Sequence, residues 1–246
     1  MTDAAYRGTN VQLEIVALGA GESRIVRPPP GQEAALVLLE GLVEFDGEVA
    51  SRTSVFENRA SAVYLPPDST VCVDVTRDAE LALVATVGCE LASTGDATDD
   101  ATIVQPEDVV VQARGKPGWQ RDVHDVIADA VPARQLLVGE TFNEPGQWSS
   151  FPPHKHDGAD GEPALEEVYY YRFDRPDGFG CQGLYEADGY AEAVFLKHGS
   201  IVGIPRGYHP VCAAPGYRLY YLWALVGEPR QLAMYEDPVH RWLNDA

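Results

Sequence analysis

Lysine is scarce in this chain, and positive charge of any kind is in the minority. Lys116, Lys155 and Lys197 are the only lysines, and 18 basic residues face 38 acidic ones, which gives a formal net charge of −20. A surface of this sign repels nucleic-acid phosphates and anionic lipid headgroups. We therefore expect neither nucleic acid nor a membrane as a partner, and an anionic ligand would need a local positive site.

Long apolar runs and closely spaced cysteines are also lacking. No apolar run approaches the roughly 18 residues that a membrane-spanning helix needs, and residues 1–7 do not show the basic start and apolar stretch of a signal peptide. The four cysteines, Cys72, Cys89, Cys181 and Cys212, lie far apart, which is not typical of a disulfide scaffold. We predict a soluble cytoplasmic protein with reduced thiols.

What the chain does contain is a series of short apolar or alternating segments bounded by Gly, Pro, Asp or Ser. They lie at 35–39, 41–45, 62–65, 71–75 and 81–87, and again at 135–142, 167–173, 183–185, 191–196, 200–204 and 217–226. This pattern predicts an all-β fold of the sandwich or barrel type. Weak helical patterns occur at 122–130 and 238–243, and the polar segment 93–100 predicts an exposed loop.

The two halves of the sequence look like diverged copies of one unit. Residues 39–45 and 64–69 stand where the second half has 167–173 and 204–209. We predict two tandem barrels, residues 1–112 and residues 113–246. All six histidines, His124, His154, His156, His198, His209 and His240, lie in the second, so the first is predicted to be degenerate and metal-free.

Candidate metal ligands are concentrated between residues 154 and 209. In the His154-Lys-His156 motif, an extended backbone places both imidazoles on one face because side chains alternate. A carboxylate at Glu167 and His209 after a Pro-x-Gly turn can converge on the same ion, as in the metal site of a cupin barrel. Such a ligand set suits Zn, Mn, Fe, Co or Ni and leaves an open coordination position. We predict one divalent ion, with zinc preferred.

Glu166 and Glu167 are adjacent, so their side chains point to opposite faces of a strand. The face of Glu167 also carries Tyr169, Tyr171 and Phe173, which would fill a barrel interior. Glu167 is therefore the predicted ligand, and Glu166 is predicted to face solvent.

From residue 134 onward the chain resembles the 5-deoxy-glucuronate isomerase family of inositol catabolism. The resemblance rests on residues 140–157, 166–173, 205–211, 215–222 and 237–242, and more loosely on 56–59 and 64–67. The chain departs from the family pattern at Trp223, where an Asn is expected, and at Gly183, where an Arg is expected. The resemblance implies a bicupin fold and an aldose–ketose isomerase converting 5-deoxy-D-glucuronate to 5-dehydro-2-deoxy-D-gluconate. Because cupins commonly associate through their sheets, we also expect a homo-oligomer.

Such an isomerisation needs a general base that moves a proton between neighbouring carbons. Glu140 is the first candidate, on the strand that leads into the turn at 143–146, with support of a ligand imidazole as its alternative role. Glu144 is a second candidate for the base. Tyr208, next to His209, could donate a hydrogen bond to a substrate oxygen.

The carboxylate of a uronate substrate needs a positive partner, and Lys155 and Arg172 are the candidates closest in sequence to the metal strands. Because side chains alternate along a strand, both should point away from the face that carries the predicted metal ligands, so a surface role is the alternative for each. Tyr169 and Tyr171 are predicted to pack inside the barrel, with hydroxyls that reach its cavity.

Three other functions fit the same metal motif. One is the related uronate ketol-isomerase of pectin breakdown, which shares the fold and the reaction type. Another is a cupin dioxygenase, in which iron or copper in the same ligand set activates O₂. The third is a non-catalytic sugar-binding bicupin.

Overall fold

A computed structural model describes residues 5–88 and 100–245 of the protein and confirms the predicted all-β class. Contacts divide the chain into two units, Met1–Val110 with Asp125–Gly139, and Val111–His124 with Glu140–Ala246. The sequence-based division between residues 112 and 113 differs from this partition, because Asp125–Gly139 groups with the first unit.

The first unit is built on one antiparallel sheet. Its strands are β1 (Ala5–Arg7), β2 (Val11–Leu18), β3 (Ser23–Val26), β4 (Ala34–Phe45), β5 (Glu48–Arg52), β6 (Ala62–Leu65), β7 (Val71–Thr86) and β8 (Thr102–Val104). The strand order is β1-β2-β7-β4-β6-β8, with β3 paired to β7 and β5 to β4. Alternating apolar side chains of β4 and β7, among them Leu38, Phe45, Val73 and Leu81, form the buried core of this unit.

Strand β4 joins two segments that the sequence pattern separates. The register with β7 shifts between Leu38 and Val43, as in a β-bulge, and Gly41 lies there at a φ of 123°. A Cβ at this position would lie 2.5 Å from the backbone of Ala79, so only glycine fits. The bulge breaks the two-residue periodicity, which is why 35–39 and 41–45 look like separate strands.

The second unit carries the candidate metal ligands. Its strands are β9 (Val110–Arg114), β10 (Arg121–Ile127), β11 (Leu136–Asn143), β12 (Trp148–Ser149), β13 (His154–Lys155), β14 (Ala164–Phe173), β15 (Phe179–Tyr185), β16 (Ala191–Lys197), β17 (Ile201–Ile204), β18 (Val211–Ala213), β19 (Leu219–Glu228) and β20 (Tyr235–Glu236), of which β9, β10 and β11 each contain a boundary of the unit. They form sheets of order β17-β14-β19-β11-β10-β9, β12-β18-β15-β16 and β13-β20. In the first of these sheets Glu167 lies on β14, with Ile204 and Leu225 as its cross-strand partners.

Two helix predictions need correction. The segment 122–130 is not helical: most of it lies in strand β10, where Val123, Val126 and Ile127 are buried. Pairing within the sheet overrides the local helical pattern there. At 238–243 the structure has only a 3₁₀ turn, Arg241–Asn244. The predicted loop at 93–100 lies outside the described residues except for Asp100, and none of the helices described is long and apolar enough to cross a membrane.

Candidate active site

Three of the predicted ligands converge in the second unit. The nitrogen and oxygen atoms that His156, Glu167 and His209 could offer to a metal ion lie within 4.8 Å of one another, and all three residues are buried. Glu167 Oε2 is 2.9 Å from His156 Nε2 and 3.3 Å from His209 Nε2. Pairing between β14 and β17 brings the turn that ends in His209 back to Glu167.

Hydrogen bonds at the far side of each ring fix the tautomers. His156 Nδ1 lies 3.1 Å from the carbonyl oxygen of Leu165, and His209 Nδ1 lies 3.0 Å from that of Gly207. Because a carbonyl only accepts, each Nδ1 carries the proton, and Nε2 is the atom of each ring that faces Glu167 and could bind a metal. Among the described residues, His209 Nε2 is buried and has no hydrogen-bond partner, which is unfavourable unless a cation lies beside it. The residues present therefore fit a divalent metal, and the carbonyls orient the ligand rings.

His154 lies beside this cluster but outside it. Its ring centroid is 4.9 Å from that of His209 and 6.4 Å from that of His156. The role of His154 as a fourth ligand stays a prediction.

Burial controls the protonation of these imidazoles. Burial lowers the pKa of His154 to about 3, and the neighbouring His156 adds to the shift. Burial also lowers the pKa of His209 to about 3, although Glu167 opposes the shift. Burial disfavours the charged form of His156 too, but attraction to Glu167 outweighs it and raises the pKa of this ring. His154 and His209 are thus neutral at physiological pH, the state that a metal ligand requires.

A cavity that is partly open to solvent adjoins the cluster. The polar side chains that line it are Arg114, Arg121, Thr141, Ser150, His154, His156, Glu167, Tyr169 and Tyr221, and the apolar ones are Val123, Trp223, Leu225, Leu232 and Met234.

Two buried tyrosines, Tyr169 and Tyr221, line this cavity. The Tyr169 hydroxyl lies 3.1 Å from Ser150 Oγ, and burial, together with the charge of Glu167, holds the pKa of Tyr169 well above its usual value. Burial likewise raises the pKa of Tyr221. Both hydroxyls therefore stay protonated and can donate to a ligand oxygen. Tyr171 is not part of the cavity lining: its hydroxyl donates to Gln182 Oε1 at 2.9 Å.

Arg114 and Arg121 were missed by sequence reasoning, yet both line the cavity. For Arg121 the reason is the helical interpretation of 122–130, which hid the alternation of Arg121 and Val123 on one face of β10. If residues 121–127 are interpreted as a strand, Arg121 lies on the same face as the buried Val123.

Comparison with known proteins agrees with this geometry. The family profile that matches is the KduI/IolB family, over residues 1–243. The chain belongs to the KduI/IolB family. Among its relatives, the 5-deoxy-glucuronate isomerase of Geobacillus kaustophilus is 35% identical and that of Bacillus subtilis strain 168 is 32% identical. Each alignment covers 96% of this chain, with 86% of the first relative and 88% of the second. The predicted family is thereby confirmed.

Solved structures give the same result. An IolB-like protein from Salmonella typhimurium LT2 superposes with a TM-score of 0.85 at 35% identity, covering 96% of this chain and 90% of that one. A mutant of Bacillus subtilis oxalate decarboxylase has a TM-score of 0.61 at 12% identity, covering 93% and 71%. The second likeness concerns the fold alone.

In this KduI/IolB family member, Glu140 does not face the cavity, which corrects its predicted role as the base. Its neighbour Thr141 lines the cavity, so Glu140 points to the other face of β11. There Glu140 is fully buried, accepts a hydrogen bond of 2.8 Å from the Tyr220 hydroxyl and lies 3.9 Å from His124 Nδ1. It touches no ligand imidazole, so the alternative role as a support of the metal ligands is also wrong.

We accordingly expect Glu140→Gln to keep kcat/KM within about threefold of wild type, because no catalytic proton passes through this face of the sheet. Its hydrogen bond with Tyr220 becomes a neutral one, and the free energy of unfolding should fall by about 1–2 kcal/mol. Steady-state kinetics and urea unfolding measure the two effects. A loss of turnover beyond about 100-fold at wild-type metal content would restore Glu140 as the base.

The other two acid–base candidates also lie away from the cavity. The Glu144 carboxylate is exposed and pairs with Arg218 Nε at 3.1 Å. Tyr208 stacks on Tyr185, with ring centroids 5.0 Å apart, on the side of the turn opposite to His209. Neither prediction is supported by the geometry.

The predicted carboxylate partners point away from the metal face, as the alternation of their strands indicated. Lys155 Nζ is engaged by Asp157, Asp160 and Glu162. Arg172 is buried and its Nε donates to the Tyr170 hydroxyl at 3.2 Å. Neither is available to a ligand in the cavity. Glu166 is buried as well, so the prediction that it faces solvent is wrong.

Lys155 has a structural role instead. Its partner Asp157 also accepts a hydrogen bond of 3.0 Å from the backbone N–H of Gly207 through Oδ2. The carbonyl of Gly207 in turn accepts from His209 Nδ1. The lysine and aspartate thus hold the turn that orients a candidate ligand.

Proposed function

We propose that this protein is an aldose–ketose isomerase that converts 5-deoxy-D-glucuronate to 5-dehydro-2-deoxy-D-gluconate with the help of a divalent metal, zinc being the first choice. The observation that carries the proposal is the convergence of His156, Glu167 and His209 at the wall of a cavity that is partly open to solvent. The names of the relatives, 5-deoxy-glucuronate isomerases over 96% of the chain, support the substrate.

The reaction moves a carbonyl from C1 to C2 of the aldose. The C2 proton is removed, negative charge spreads over the oxygens on C1 and C2, the hydroxyl proton of the C2 oxygen passes to the C1 oxygen, and a proton returns to C1, so no external oxidant is needed. A divalent ion held by His156, Glu167 and His209, with His154 beside them, would supply Lewis-acid stabilisation of that charge.

The remaining groups of the cavity act on the same charge. The protonated hydroxyls of Tyr169 and Tyr221 donate hydrogen bonds to substrate oxygens, and Ser150 orients the first of them. The apolar wall, including Trp223 and Leu225, limits the access of water and strengthens these interactions.

We also propose that the two units are tandem cupin barrels and that only the second carries metal. The likeness to oxalate decarboxylase extends over 93% of the chain, so it includes both units. The first unit contains no histidine, since the six histidines lie at 124 and beyond position 153. Elemental analysis should therefore find one equivalent of metal per chain.

The deciding experiment joins that elemental analysis with NMR of the product formed from 5-deoxy-D-glucuronate in D₂O. We expect a ketose product without consumption of O₂. A parallel assay with the uronate of pectin breakdown separates the two branches of the family. Turnover that requires O₂ would indicate a dioxygenase, and a metal-containing protein that isomerises neither uronate would indicate a non-catalytic sugar-binding protein.

A further inference from the structure

Two guanidinium groups face the cavity that holds the metal cluster. Arg114 ends strand β9, Arg121 begins strand β10, and these strands are neighbours in the sheet. Both arginines are half-buried and line the same space as His154, His156 and Glu167. Positive charge is thus concentrated at one side of a cavity in a chain whose net charge is −20.

Neither arginine forms an ion pair with any residue that the structure describes. Arg121 Nη1 donates to the carbonyl of Trp119 at 3.2 Å, and Arg114 donates to Gln112 Oε1 through Nη2 at 2.7 Å and Nε at 3.3 Å. These oxygens are neutral, so they satisfy hydrogen bonds without cancelling the charge. Other arginines of the unit do have carboxylate partners: Arg206 pairs with Glu186 at 2.9 Å and Arg218 with Glu144 at 3.1 Å.

The two charges also act on each other. Burial lowers the pKa of Arg121, and the nearby charge of Arg114 adds to this effect. An anion bound between the guanidinium groups would relieve both the desolvation and the repulsion. Arginine is suited to this role because its planar fork matches the two oxygens of a carboxylate.

We infer that Arg114 and Arg121 bind the carboxylate of the substrate, so that the cavity selects sugar acids over neutral sugars and leaves the aldehyde end for the metal cluster. This inference rests on the proposed function for the identity of the substrate. Arg121 and His154 also line an adjoining cavity together with Trp119 and Phe151, which gives a route by which the sugar acid can enter.

The test compares Arg121→Gln and Arg114→Gln, singly and together, with the matched surface variant Arg206→Gln. Each single cavity variant should raise KM for 5-deoxy-D-glucuronate roughly 10- to 100-fold, as expected for the loss of a charged hydrogen-bond partner, with kcat changed far less. Metal content should stay at the wild-type level. Turnover of 5-deoxy-D-glucose, which lacks the carboxylate, should be the same in the variants and in wild type.

Isothermal titration with D-glucuronate keeps this inference separate from the proposed reaction. Weaker binding of D-glucuronate by both cavity variants, with normal binding by Arg206→Gln, supports the carboxylate site even if the wild type does not isomerise 5-deoxy-D-glucuronate. Unchanged affinity for D-glucuronate in the double variant would overturn it. If Arg121→Gln folds poorly, Arg121→Lys replaces it, because lysine retains the positive charge but lacks the planar guanidinium fork. We expect its affinity for D-glucuronate to lie between those of wild type and Arg121→Gln. Wild-type affinity would contradict recognition of the carboxylate by two parallel hydrogen bonds.

Discussion

Replacing Glu167 with Gln is expected to remove the metal from the purified protein and to lower kcat/KM at least about 10³-fold. The carboxylate supplies the negative charge of the ligand set and lies within 3.3 Å of both His156 Nε2 and His209 Nε2. A Lewis acid contributes several kcal/mol of transition-state stabilisation, and each 1.36 kcal/mol is a factor of ten in rate. His156→Ala and His209→Ala should have the same result, read by elemental analysis and kinetics on the same samples.

Two matched variants control for the loss of an acid or of an imidazole elsewhere. Glu192 is exposed and bonded to Tyr190, and His240 lies near Asp237, apart from the cavity. Glu192→Gln and His240→Ala should retain metal and activity. The assignment fails if Glu167→Gln binds a full equivalent of metal and isomerises at the wild-type rate. His154→Ala then shows whether the fourth predicted residue is a ligand, through its effect on metal content.

The metal cluster could be predicted because its geometry follows from local rules. Side chains alternate along an extended segment, so His156 and Lys155 point to opposite faces. For the same reason Glu167 and Glu166 point to opposite faces of β14. A turn containing Gly207, at a φ of 82°, returns the chain so that His209 meets them. Sequence alone could not place His154 relative to the other three, since the distance between its ring and the cluster depends on the path of a strand only two residues long.

The same rules could not predict on which face of the sheet the Glu140 side chain lies. Nearly every residue of β11 is buried on both faces of the sheet, so no alternation of polar and apolar residues shows which face a given side chain takes. Arg121 was missed for a different reason, because the local pattern at 122–130 favours a helix and only pairing in the sheet makes it a strand. Both errors concern long-range packing, which a single sequence does not encode locally.

Replacing Glu33 with Ala is expected to lower the free energy of unfolding by about 3–5 kcal/mol, because several buried donors lose the carboxylate that accepts their hydrogen bonds. Glu33 is fully buried in the first unit, and its Oε1 accepts backbone N–H bonds from Gln135 at 2.6 Å and Leu136 at 2.8 Å. Its Oε2 accepts from the Tyr64 hydroxyl at 2.6 Å and from the Arg134 N–H at 3.0 Å. Four donors thus lose their carboxylate at once.

Two further variants separate the carboxylate from its individual bonds. Tyr64→Phe removes one donor and leaves three, so it should cost only about 1 kcal/mol. Glu33→Gln keeps one accepting oxygen but sets an NH₂ group against donors, so its cost should fall between the other two. Urea unfolding of the three variants gives the order directly. Glu33→Ala removes the hydrogen bonds to the backbone of Gln135 and Leu136, whereas Tyr64→Phe leaves them in place. If Glu33→Ala lowers the free energy of unfolding no more than Tyr64→Phe does, the carboxylate does not hold the start of β11.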